Sequence, residues 1–471
     1  MSDFSHCDVA IVGAGISGLM SAVRLADLGV RVVVLEQGEQ ERYLCNSRYT
    51  GGAFHVANRS INDDENVIIE VINQRTRGCA DPDLAKAVAA DTRKAVQWLK
   101  SKGLKFVKGG PEPYRDHTLA PPILPQAGLH WEGRGGDVML RTLGNALKAA
   151  GGTLMLGSRA RQLRMDDGTC VGLTVERQGV MCDISADAVI LCDGGFQANH
   201  GLLREFITSA PEKLKQRNAG VGNGDALRMA REIGARLVGT DKFYGHVLCQ
   251  DAMHNDRLWP FPVLDTVCTA ALVVDGAGRR FADEGLGGIC MANSIARLPD
   301  PLSATLIYDE AIWNGPARGH MISANPLIVS AGATILKAES VADLARQLRL
   351  SAGALEETVK GYNAALDAGH MQHLTPPRTP SPVEPHPIRH APYYAIRLCA
   401  GITSTMGGIA IDSVGRVQNE SSTAIPGLYA VGCSAGGLEG GPLAGYVGQL
   451  AQCSSIALRA AHHIATLREK L

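Results

Sequence analysis

The hydrophobic pattern opens with a short β-branched run, Asp8-Val9-Ala10-Ile11-Val12, which predicts a strand. It breaks at Gly13-Ala14-Gly15-Ile16-Ser17-Gly18, after which apolar residues recur at helical spacing (Leu19, Ala22, Val23, Leu25, Ala26) as far as Gly29. A second strand, Val30 to Leu35, ends at Glu36. Helical patterns cover Asp83 to Lys102, with Trp98 and Leu99 on the apolar side, and Asp137 to Ala150. The Pro- and Gly-rich segment Pro111 to Gly136 between them is a long irregular loop. Then come a strand at Thr153 to Leu156, a hairpin from Cys170 to Glu176 and Val180 to Ile184, a buried strand from Ala188 to Cys192, and a helix from Ala226 to Gly234 with Asp225 as its N-cap.

From about Asp241 the pattern changes to strands and turns. Ala271 to Asp275 and Arg279 to Asp283 flank a Gly-Ala-Gly turn, and two helices begin behind the caps Ser340 and Ser351. Seven prolines between Pro376 and Pro392 mark a stiff extended crossing. Beyond it lie a hairpin around Asp412 to Arg416, a strand at Leu428 to Val431, a glycine-rich turn and a closing helix. Glycine-turn chemistry like that of the first half returns here. The expected organisation is therefore one discontinuous cofactor domain, residues 1–240 and 403–471, with an inserted domain at 241–402.

Composition narrows the partners. Among 471 residues, 46 Lys+Arg against 47 Asp+Glu give a net charge of -1, which excludes a nucleic-acid or anionic-membrane binder. No apolar run approaches the roughly 18 residues of a membrane span, and the segment before Asp8 carries no Lys or Arg, so neither a span nor a signal peptide is expected. Twelve scattered cysteines without a C-x-x-C pair argue against disulfide frameworks and metal clusters, and a cytoplasmic setting is the default. His370 and His373 have no third ligand, so no metal is expected. Glycine is in excess, 54 of 471 where roughly 7% is usual.

Part of that excess is the fingerprint at the N-terminus. Gly13 permits the tight turn, Gly15 lets backbone approach a pyrophosphate at the helix N-terminus, and Gly18 permits close helix–strand packing. Glu36, 18 residues past Gly18, is placed to accept hydrogen bonds from an adenosine ribose. The fingerprint alone does not separate FAD from NAD. The polar loop Leu44 to Ala53, holding Asn46, Ser47, Gly51 and Gly52, suits an extended cofactor, and no second fingerprint follows. A tightly held, non-covalent flavin fits better than an exchanging nicotinamide.

These blocks, together with Val189-Ile190-Leu191-Cys192-Asp193-Gly194-Gly195-Phe196, Gly224-Asp225, Arg280-Phe281-Ala282-Asp283-Glu284, Ala391 to Ala395, Thr405-Met406-Gly407-Gly408 and Pro426 to Gly432, resemble the flavoprotein dehydrogenases that include soluble fumarate reductase, 3-ketosteroid Δ1-dehydrogenase and tricarballylate dehydrogenase. The resemblance implies an α/β fold: a Rossmann-type, glutathione-reductase-like FAD-binding domain with an inserted α+β capping domain over the flavin. It implies FAD contacts from Gly13, Gly15, Ile16, Ser17, Gly18, Glu36, Gln37, Asn46, Ser47, Gly51, Gly52, Ala160, Asp193, Gly194, Asp225, Gly407, Cys433, Gly445 and Gly448. It implies hydride exchange between a substrate Cβ and the flavin, coupled to proton exchange at Cα.

Several positions depart from the family pattern. Gly288 stands where relatives place a proton-transferring Arg or Tyr, Ser404 replaces a histidine, and Leu443 replaces a substrate-clamping arginine. The remaining catalytic candidates are His246, Tyr446 and Ser404; Arg134, His130 and Glu284 are expected at the substrate. The expected function is FAD-dependent α,β-dehydrogenation of a small or cyclic carbonyl or carboxylate compound, with oxygen, a quinone or a carrier protein taking the electrons. Reduction of an activated alkene by the same atoms, and a flavin-binding sensor without turnover, are the alternatives.

Overall fold

The computed structural model describes residues 6–320 and 322–469; the first five residues, on which part of the targeting expectation rests, lie outside it. The expected first strand forms as His6–Val12 and is buried on both faces because it is central in a parallel sheet. Val9–Val12 pair with Val32–Leu35 on one side, and with Ala188–Leu191 on the other. Ala424–Ala430 and Thr153–Met155 extend the sheet at either side. The helix Ile16–Asp27 packs on the closing helix Gln449–Arg468 through small residues: the Ser17 and Ser21 hydroxyls donate to the carbonyls of Cys453 and Ala457, each at 3.2 Å. This closing helix is what brings the C-terminal residues back to the first fingerprint.

The inserted region builds a second sheet. The long strand Tyr393–Thr405 lies at its centre, antiparallel to Phe243–Cys249 and to Thr305–Asp309, which in turn pairs with Leu272–Val274. Ser340 and Ser351 cap their helices as expected. Each sheet has its own apolar core, and the second core reaches outside 241–402, taking in Phe196, Leu203, Ile207 and Leu214. The strand Tyr393–Thr405 itself runs past 402 without a break.

Three local expectations are corrected. The hairpin strand at Val180 and the buried strand ending near Cys192 are one continuous strand, Val180–Leu191, which leaves the hairpin and enters the parallel sheet. Asp225 is the first residue of its helix, not the cap; Gly224, in the left-handed conformation at φ 71°, takes the cap position, and the Ala226 N–H donates to Asp193 at 2.9 Å. The second strand expected at Arg279 to Asp283 reduces to a single bridge between Val274 and Arg280, because Glu284 is drawn inward by Arg280 and by the Val273 N–H.

Candidate active site

A cleft runs along the carboxyl ends of the parallel strands, where ligands of open α/β sheets bind. Of the residues expected at the cofactor, Gly13, Gly15, Ile16, Ser17, Glu36, Gln37, Asn46, Ser47, Ala160, Asp193, Gly194, Asp225 and Cys433 line it. Gly13, at φ 100°, has the Cys192 carbonyl only 2.6 Å from where a Cβ would stand. Glu36 accepts from the N–H groups of Ala14 (3.1 Å) and Gly38 (2.8 Å), and each of its oxygens keeps a lone pair toward the cleft. Burial raises its pKa. The loop with Asn46 and Ser47 is held by Arg48, a buried guanidinium paired with Asp137 and facing the Tyr43 ring. Ser47 Oγ accepts from the Ile16 N–H at 3.0 Å, so this loop closes over the helix N-terminus.

Other expected contacts stand elsewhere. Gly18 lies behind the lining, where a Cβ would overlap the Gly13 carbonyl, in keeping with its packing role. Gly52 packs on Leu119, Gly407 on Gly239, Gly445 on Arg75 and Gly448 on His55, and Gly51 lies near Ile123, so these five do not line the cleft. Gly52, Gly407, Gly445 and Gly448 serve close packing between loops. Gly195 lines it beside Gly194, and Arg159, Cys192, Gln197, Gly222 and Cys453 do so without having been singled out. These arrive by pairing and helix packing, which leave no motif; only the position of Cys192 beside Asp193-Gly194 carried a signal.

Two features of the cleft fit FAD. Gln197 Oε1 is a buried acceptor without a protein partner, at a lining position. Asp193, at the strand end, is pushed up to about 7 by burial, against hydrogen bonds from the Ala226 N–H and the Ser434 hydroxyl. A lining that mixes apolar and polar side chains with glycine approach suits a dinucleotide.

Beside the cleft, side chains from four segments converge. Asn46 donates from its amide to the Thr403 carbonyl at 2.8 Å, tying the cleft to the cap strand. Across that strand, Tyr244 is the register partner of Ser404, and the two-residue spacing puts Tyr244 and His246 on one face. His246 Nε2 lies 3.1 Å from the Tyr244 hydroxyl, and Nδ1 lies 2.6 Å from Asp265 Oδ2. A carboxylate at Nδ1 requires the proton there, so Nε2 is the acceptor for the Tyr244 O–H. Burial lowers the His246 pKa, with Asp265 opposing, and burial raises that of Tyr244. Tyr446 stacks on Tyr244 with ring centroids 4.0 Å apart.

Gly288 is explained by the same cluster. A Cβ there would overlap the Asp265 carboxyl group. The space beside Gly288 is filled by Asp265, reaching from the first turn of the helix Asp265–Ala270. Neither Asp265 nor Tyr244 was singled out from the sequence; Tyr244 carried a weak signal in its spacing from His246, and Asp265 carried none.

The other expected site residues are spent on structure. The Ser404 hydroxyl donates to Gln449 Oε1 at 2.6 Å, and Gln449 donates to Glu439 at 3.2 Å. Glu439 also accepts from the Val447 and Gly448 N–H groups. Ser404 thus fixes the turn carrying Tyr446. Glu284 is not at a substrate surface: it is buried in the cap between Arg280, at 2.5 Å, and Arg378, at 3.7 Å. His130 is exposed on an outer groove, with Nε2 3.0 Å from the Ala127 carbonyl. Arg134 precedes the helix Gly135–Ala149 and makes no hydrogen bond or ion pair with the His246 cluster. Among the described residues no group of His, Cys, Asp and Glu could hold a metal, and no helix is long and apolar enough to cross a membrane.

Residues 8–445 match the model of the FAD binding domain family. The chain is 25% identical over 453 residues to a fumarate reductase (cytochrome) of Shewanella frigidimarina, covering 92% of this chain and 72% of that protein. It is 27% identical over 369 residues to the 4-oxocyclohex-2-ene-1-carboxylate 5-dehydrogenase of Sinomonas cyclohexanicum, covering 70% of this chain and 61% of that one. The 3-ketosteroid Δ1-dehydrogenase of Sterolibacterium denitrificans shares the fold, with a TM-score of 0.75 at 21% identity over 98% of this chain and 100% of that one. The chain belongs to the FAD binding domain family and is an FAD-dependent oxidoreductase acting at a CH–CH or C=C bond.

Proposed function

We propose that the protein is an α,β-dehydrogenase of a small or cyclic carbonyl compound, with Tyr244 as the base. The observation that carries this is the hydrogen-bonded series Asp265, His246, Tyr244, at 2.6 and 3.1 Å. It ends in a carboxylate, and its imidazole is kept neutral by burial, so it is poised to receive a proton. Tyr244 takes the Cα proton as it passes its own to His246 Nε2, and Asp265 stabilises the imidazolium through Nδ1–H. Tyr446 accepts from the Gln449 N–H at 3.4 Å, which leaves its hydroxyl proton for the substrate carbonyl as enolate charge develops. Glu36, Asp193 and the first glycine turn would hold FAD in the cleft, where it would supply the hydride acceptor for the Cβ hydrogen. The electron acceptor would be oxygen, a quinone or a carrier protein.

The test is anaerobic mixing of the holoenzyme with saturated ketones and oxo acids, followed through the flavin absorbance. Bleaching by at least one saturated compound is expected; a panel that leaves the flavin oxidised overturns the reading. A second reading, reduction of an activated alkene, is supported by the relative named a fumarate reductase. It predicts that photoreduced enzyme is reoxidised by alkenes while no saturated partner bleaches it.

A further inference from the structure

Arg217 is buried, and no carboxylate lies within ion-pair distance of it among the described residues. The comparably buried Arg48, Arg280 and Arg378 each face an anion: Asp137 for the first, Glu284 for the other two. Arg217 instead donates from Nε to the Pro260 carbonyl at 3.1 Å and from Nη1 to Thr403 Oγ1 at 2.8 Å, and its Nη2 has no protein partner among the described residues. The Phe261 ring lies 5.2 Å from Cζ. A buried cation with only neutral partners carries a desolvation cost that an anion would offset.

Its position says whose anion. The Arg217 N–H donates to the Ile402 carbonyl at 2.8 Å, and Thr403, which the side chain holds, is the residue Asn46 ties to the cleft. The charged and phenolic groups it feels are Tyr244, Asp265 and Tyr446, the members of the proton-transfer cluster. Asp265 does not serve as its partner: no ion pair joins the two, and its oxygens face His246 Nδ1 and the Val247 N–H. Thr403, accepting from Arg217, keeps its own hydroxyl proton to donate.

We propose that Arg217, with Thr403, is the anion anchor of the substrate site, and that the substrate is a carbonyl compound carrying one carboxylate. One buried cation without an anion matches one carboxylate. The inference rests on the reading above that the Tyr244 cluster faces substrate.

The test is binding without turnover, read as perturbation of the flavin spectrum of the holoenzyme. The probes are cyclohexanecarboxylate and its neutral isostere cyclohexanecarboxamide. The native protein should bind the acid at least about 10-fold more tightly than the amide, and Arg217→Met should weaken the acid about 100-fold while changing the amide little. Arg217→Lys should retain part of the preference, and it replaces the Met variant if that one fails to fold or to hold FAD. Equal binding of acid and amide by the native protein, absence of any acid-induced perturbation, or an undiminished preference in the Met variant, or in the Lys variant where it replaces the Met variant, overturns the anchor. If the acid binds as expected and no saturated compound bleaches the flavin, the anchor stands and the dehydrogenase reading falls.

Discussion

The cofactor cleft and the cluster beside it are built by opposite means. The cleft leans on backbone: glycines that let chain segments approach, strand ends, and a helix N-terminus, joined by polar side chains such as Glu36, Ser47, Asp193 and Gln197. The cluster is made of side chains, Arg217, Tyr244, His246, Asp265 and Tyr446, delivered by segments far apart in the chain and met only at the cap sheet. A backbone site tolerates change in chemistry but not in shape. A side-chain site tolerates replacement of a residue when another can reach the same space, as Asp265 does at Gly288.

The sharpest test of the backbone half is Gly18→Val. The added carbons would overlap the Gly13 carbonyl, which cannot move without unseating the first turn. We expect a loss of roughly 4 kcal/mol or more and no FAD-loaded protein on purification; a variant holding normal FAD would show that the helix is free to slide. The corresponding cut in the side-chain half is Tyr244→Phe, expected to lower turnover by about 100- to 10,000-fold with FAD content unchanged, as measured by stopped-flow flavin reduction. An unaltered rate would remove Tyr244 from the chemistry.

Gly288→Ala asks whether the two halves are as separate as they look. Its methyl group should push Asp265 away from His246 and slow reduction by about 10-fold or more, with the cofactor retained. In an Asp265→Ala background the same substitution should cost almost nothing, because the space is then free. Equal effects in both backgrounds would mean that Gly288 acts through something other than Asp265.

The mildest expected effect is on pH dependence. Burial pushes the Glu439 carboxyl from 4.5 up to about 7, against donors from Gly448, Val447 and Gln449. A raised folded pKa means that this stabilisation is fully present below pH 4.5 and is lost as pH rises through about 7. Glu439→Gln should flatten that part of the thermal-midpoint profile between the two values. An unchanged slope would assign the pH dependence to other groups, with Asp193, also raised to about 7, the next to substitute.

Legibility followed the same division. The strand, the glycine turn, the helix and the second strand ending at Glu36 lie within 36 consecutive residues, so their spacing was readable and thirteen of the expected cofactor contacts line the cleft. Elsewhere the structure uses the same residue types differently. Gly52, Gly407, Gly445 and Gly448 are closely approached by protein, while Gly51 has only an ordinary contact with Ile123. Asp225 had the right residue type for an N-cap, yet Arg159 claims its carboxylate at 2.6 Å and Asp193 serves the helix instead. Glu284 sat in a family-like block, while its two arginine partners, one close in the chain and one remote at Arg378, make it a fastener of the cap.

By itself the sequence determined the cofactor, the class of fold and His246 as a residue worth testing, because each depends on local spacing that survives without three-dimensional context. Only the tertiary structure decided what His246 is joined to, that Gly288 is room made for Asp265, and that Arg217 is a buried cation lacking an anion. Those facts depend on distances between residues that the chain separates by tens to hundreds of positions, and on burial, which changes the cost of a charge far more than residue type does.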